Sequence, residues 1–84
     1  MENYSYRTKG TCSREIKISV DGDRIASVQY IGGCNGNTQG VAALVKGMLI
    51  DEAIERLYGI NCNGRGTSCP DQLARALMEI KAAK

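Results

Sequence analysis

Residues 15–31 read Glu15-Ile16-Lys17-Ile18-Ser19-Val20-Asp21-Gly22-Asp23-Arg24-Ile25-Ala26-Ser27-Val28-Gln29-Tyr30-Ile31. From Glu15 to Val20 every second side chain is apolar, the period of a strand with one face buried. Asp21-Gly22-Asp23 is a turn signal and Arg24 to Ile31 is the return strand, so the stretch predicts a β-hairpin. The pairing that keeps apolar residues on one face sets Ile18 opposite Ala26, Ile16 opposite Val28 and Arg14 opposite Tyr30. It implies a three-residue loop, Asp21-Gly22-Asp23, with Asp23 in the left-handed conformation that Asp tolerates. Extended toward the N-terminus, the same ladder puts Cys12 opposite Gly32, with Cys34 further along that face. Across a ladder such a diagonal is about 7 to 8 Å between backbones, close enough for two thiols to share an ion.

Upstream, Tyr4-Ser5-Tyr6 offers a third strand, and Gly10 breaks the chain before the hairpin. Downstream the period changes. Beyond the glycine-rich turn from Gly32 to Asn37, Val41, Ala42, Leu44, Val45 and Met48 form a helical stripe that stops near Gly47. Ile50, Ala53, Ile54, Leu57 and Tyr58 form a second stripe, with Gly59 as its stop. Asn61 to Ser68 is polar and reads as a loop. Leu73, Leu77 and Ile80 then mark a third helix, with Pro70 at its first position, Asp71 and Gln72 in its first turn, and Lys81 and Lys84 at its end to suit the helix dipole. Strands first and helices afterwards predict an α+β fold. Its parts are a two- to three-stranded antiparallel sheet with the hairpin at about 14–31, and helices at about 37–47, 51–58 and 70–82 on one face.

The 84 residues allow a single domain, 1–84, too short for any large catalytic architecture. Hydrophobic residues make up 43% and charged residues 24%, a balance that predicts a folded globule. The absences are more telling. With no His, the sequence excludes a Ser-His-Asp triad, a Cys-His pair and any Cys₂His₂ zinc site. A net charge of +2, scattered along the chain, argues against a nucleic-acid or membrane footprint. Met1 to Lys9 has no apolar core, so a cytoplasmic location is expected, where thiols stay reduced.

That leaves cysteine chemistry. Cys34 and Cys69 each precede a helix, where unpaired N–H groups and partial positive charge suit a sulfur acting as metal ligand or nucleophile. Cys62 lies in the Asn61–Gly66 stretch, near enough in sequence to Cys69 to be a fourth ligand. No Cys-x-x-Cys pair is present, so spacing alone balances a metal site against four small buried hydrophobes. The glycines at 32, 33, 36 and 40 lack both the P-loop and the dinucleotide patterns and read as turn chemistry. Tyr30 and Tyr58 read as core or rim residues, and Lys46 and Arg65 as solvated charges.

Thr67-Ser68-Cys69-Pro70-Asp71 spells the signature of the TSCPD domain family. Together with Gly33-Cys34-Asn35-Gly36-Asn37, the chain resembles small stand-alone members of that family over nearly its whole length. The family also includes domains appended to vitamin B12-dependent ribonucleotide reductases. The resemblance therefore implies association with ribonucleotide reductase, while a reductase activity would belong to the larger proteins. A more distant resemblance, to NifU/IscU-type iron-sulfur scaffolds, lies in the order of Thr11-Cys12-Ser13, Gly33-Cys34-Asn35, Val45-Lys46-Gly47 and Ser68-Cys69. It implies Cys12, Cys34 and Cys69 as ligands of a zinc ion or iron-sulfur cluster. Ser13 and Arg14, and then Ser68, stand where the scaffolds carry an Asp and a His. Cys62 would replace them as a fourth thiolate and close the site. Three functions are thus expected to compete: a metal-binding domain, a thiol redox or docking partner of ribonucleotide reductase, and a metal-free domain that pairs as a homodimer through Met48, Leu49 and Tyr58.

Overall fold

A computed structural model describes residues 2–10, 13–32, 35–60 and 67–83, with 35–37 as backbone. Its elements are β1 (Glu2–Arg7), β2 (Ser13–Asp21), β3 (Arg24–Gly32), α1 (Asn35–Val45), α2 (Ile50–Leu57) and α3 (Cys69–Ala83). The sheet is antiparallel with β2 in the middle. Alternation divides its faces. Ile16, Ile18, Val20 and Ile25 are buried with Leu73, Ala76, Leu77 and Ile80 of α3, Val45 of α1, and Ile50 and Ala53 of α2 in one hydrophobic core. On the opposite face Lys17, Ser27 and Gln29 are exposed, and Ser19 donates to Asn3 at 2.5 Å. The α+β class follows, with three helices on the apolar face. Tyr4 and Tyr6 lie opposite Ile18 and Ile16, so β1 extends the same apolar face and the third strand is real.

The hairpin's register differs from the sequence expectation. Ile18 pairs with Val28 and Ile16 with Tyr30, and the turn is the two-residue Gly22-Asp23 between Asp21 and Arg24. Gly22 takes φ +64, the positive value that a two-residue hairpin turn matched to strand twist requires. The tight turn sets Val20 against Ile25, and Ala26 is then the extra residue of a bulge. Burial of Ile25 is the reason this register wins. In the expected pairing Ile25 would oppose Ser19 on the wet face. A second bulge at Arg14 makes Ser13, not Cys12, the partner of Gly32; Cys12 itself lies outside the described residues.

Two helical expectations also change. Leu44 was expected in the buried stripe but is 78% exposed, because Val41 and Val45 carry the buried line of α1 and Leu44 points about 100° away from Val45. In α3, Cys69 is the first helical residue and Pro70 the second. Between α1 and α2 the chain is laced onto the start of β3: Gly47 N–H donates to the Ile25 carbonyl (2.7 Å), Ile25 N–H to Met48 (2.9 Å) and Ile50 N–H to Asp23 (2.8 Å). Among the described residues no helix is long and apolar enough to cross a membrane.

Candidate functional site at the start of α3

Each residue from Thr67 to Asp71 has a distinct structural role. Ser68 is the N-cap of α3: its Oγ accepts the Asp71 N–H at 3.1 Å and its carbonyl accepts the Gln72 N–H at 2.8 Å. The same hydroxyl donates to the Ile60 carbonyl at 2.7 Å, tying the end of the preceding segment to the helix. Pro70 occupies a first-turn position whose N–H would have had no helical partner. Cys69, between them, is carried on a capped and bonded first turn of the helix.

Asp71 is fully buried. Its carboxylate accepts the Gly59 N–H (2.6 Å), the Thr67 hydroxyl (2.5 Å) and Arg75 Nε (2.8 Å). Burial by itself pushes this carboxyl up, but the bonds from Thr67, Gly59 and Arg75 together outweigh it and hold the group below the usual carboxylate range. Thr67 Oγ1 accepts from Gln72 Nε2 at 2.9 Å, and Gln72 Oε1 accepts the Lys9 N–H at 3.0 Å. No buried side-chain nitrogen or oxygen among the described residues lacks a partner.

This clasp also captures the β1–β2 connection. Gly10 has φ +72, and a Cβ there would sit 3.0 Å from the Thr67 methyl, so only glycine lets the backbone pass this close. Thr8 donates to the Ser13 carbonyl, closing the connection on itself. The Arg14 bulge turns Ser13 inward, where it is buried with its Oγ 3.3 Å from Cys69 Sγ. From β3, the Tyr30 hydroxyl donates to the Cys69 carbonyl at 2.9 Å. Burial, and secondarily the nearby Cys69 sulfur, push the Tyr30 phenol far above its ordinary value, so it stays a donor.

Of the four expected ligands, Cys69 is described and partly exposed; Cys12, Cys34 and Cys62 lie outside the described residues. Among the described residues no three of Cys, Asp and Glu are grouped to hold an ion. What the fold does bring together are chain neighbours of the cysteines. Ser13 touches Cys69, Gly32 is paired with Ser13, and the Ile60 carbonyl is bonded to Ser68. Sequence reasoning missed the Asp71 clasp. The signal was present, because Ser68-x-x-Asp71 before an apolar run fits a capping box. The departure is that the Asp71 carboxylate turns to Gly59, Thr67 and Arg75.

No curated protein and no solved structure gives a significant match to the chain. The TSCPD domain family model does match, over residues 2–81. That span takes in β1, the hairpin and the whole Thr67–Asp71 clasp, and the chain belongs to the TSCPD domain family.

Proposed function

We propose that this domain binds a metal, either zinc or an iron-sulfur cluster, through Cys69, Cys12 and Cys34, with Cys62 completing four thiolates. The observation that carries the reading is the contact between Ser13 and Cys69, with Gly32 paired to Ser13. Those residues stand one and two positions along the chain from Cys12 and Cys34, and consecutive Cα atoms are about 3.8 Å apart, so both sulfurs have short tethers to the start of α3. The scaffold-like order of the three cysteines supports it further. Ligand chemistry points the same way: the chain has no His, and the thiolates its four cysteines offer suit zinc and iron-sulfur clusters alike. The chain's own part is to fix Cys69 on a capped, clasped helix turn before any metal arrives.

Elemental analysis and visible absorption of protein prepared under reducing, chelator-free conditions test the proposal. Wild type should carry zinc, or iron with sulfide, in about stoichiometric amount, and Cys69→Ser and Cys34→Ser should lose most of it. Metal-free wild type would end the reading. Fast alkylation of that metal-free protein near neutral pH would instead favour the redox or docking role beside ribonucleotide reductase, for which the partial exposure of Cys69 at a helix start is the supporting feature.

A further inference from the structure

We infer that the groove between the end of β1 and the first turns of α3 binds a small phosphate-bearing anion. It is an open cleft of about 740 Å³, within the roughly 300 to 1,000 Å³ usual for small-molecule sites. One wall carries Arg7 and Lys9, the other Gln72 and Arg75. Among the described residues its charged lining is Arg7, Lys9 and Arg75, the last already paired with Asp71, against the one carboxylate of Glu79. The ion pairs among the described residues join Arg75 to Asp71 and Lys81 to Asp51, leaving Arg7 and Lys9 without a carboxylate partner there.

Arg75 is the pre-set element of the groove. Its Nε is committed to the buried Asp71, and its guanidinium carbon lies 5.3 Å from the centre of the Tyr58 ring. Held at one nitrogen and stacked on a ring, the group keeps its orientation while its terminal nitrogens make no bond among the described residues and its side chain is 44% exposed. A guanidinium fixed in this way offers two parallel N–H donors to two oxygens of one anion, at little further cost in side-chain entropy. A lone carboxylate would fill that fork on one wall; a phosphate group, with more oxygens and more charge, can also meet Arg7 and Lys9 on the other. Cys69, the described cysteine, does not line the groove, and the inference does not rest on the metal reading.

Titration of ¹⁵N-labelled protein with inorganic pyrophosphate, against chloride at equal ionic strength, tests it. Saturable shifts are expected at the Arg7, Lys9 and Gln72 amides and at the Arg75 side chain. The exposed double variant Arg7→Gln/Lys9→Gln should weaken binding about tenfold or more, since it removes two charge-assisted contacts. Glu79→Gln should tighten it, and Cys69→Ser should leave it unchanged. Shifts that chloride reproduces, or affinity indifferent to the double variant, would overturn the inference; so would binding lost in Cys69→Ser, which would place the anion on a thiolate-held metal.

Discussion

Asp71 takes bonds from a backbone amide, a hydroxyl and a guanidinium that belong to three different segments, and it is fully buried while Arg75 stays 44% exposed. The ion pair itself is therefore screened by solvent and contributes modestly. Most of the loss on truncation comes from the partly buried Gly59 N–H and Thr67 hydroxyl losing their acceptor. Asp71→Ala is expected to cost about 2 to 3 kcal/mol in urea melts at neutral pH. Asp71→Asn keeps an acceptor and costs less. The sign with pH follows from the lowered carboxyl: the unfolded chain takes up the proton first, so the stabilisation is complete above the ordinary carboxylate value near pH 4 and is lost as pH falls through and below it. Melts of wild type and Asp71→Asn between pH 7 and pH 2 should converge at the acid end; a constant gap would show that Asp71 works without its charge. In sequence this residue looks like an ordinary partner of the helix dipole. Its burial depends on where Gly59 and Thr67 come to lie, which no local pattern encodes.

Two glycines separate backbone strain from packing among the turns. Gly10 and Gly22 both take positive φ, but a Cβ at Gly22 would meet nothing within 4 Å whereas one at Gly10 would press on the Thr67 methyl. Thr67 has little room to yield, its hydroxyl being shared between Asp71 and Gln72. Each substitution to Ala should cost about 1 to 2 kcal/mol for the left-handed backbone. Gly10→Ala should cost measurably more by thermal melting, and equal losses would mean that the β1–β2 connection does not press on α3. The hairpin shows how far element-scale reading goes. Alternation from Glu15 to Val20 fixes which side chains are buried, and those were legible; alternation is blind to shifts of two residues, so the pairing of Ile16 with Tyr30 had to come from the turn and the burial of Ile25. Likewise the stripe of α1 was legible except at Leu44, whose place depends on how the helix rolls against β3 rather than on its own period.

At the level of the whole chain, the order of strands and helices was enough for the α+β class, because a sheet with one apolar face leaves later amphipathic helices a single surface to cover. The candidate site was legible as a list of cysteines and as a helix-starting motif. Its supporting shell was not. Lys9 meets Gln72, Gly10 meets Thr67 and Ser13 meets Cys69 across more than fifty positions of sequence, contacts that only the assembled sheet and α3 create. The same shell fastens both flanks of residues 61–66 to one helix turn: Gly59 and Ile60 through Asp71 and Ser68 on one side, Thr67 through Asp71 on the other. Doubling the length of a flexible connection between two anchored points costs about 0.6 kcal/mol of closure entropy. A Gly/Ser insertion after residue 63 should therefore leave the unfolding free energy of the metal-free protein almost unchanged in urea melts, and a loss of several kcal/mol would reveal that the stretch braces the globule itself. If it does not, this is where the domain can accept a reporter peptide or a foreign epitope, grafted beside the bonded start of α3 without asking the core to readjust.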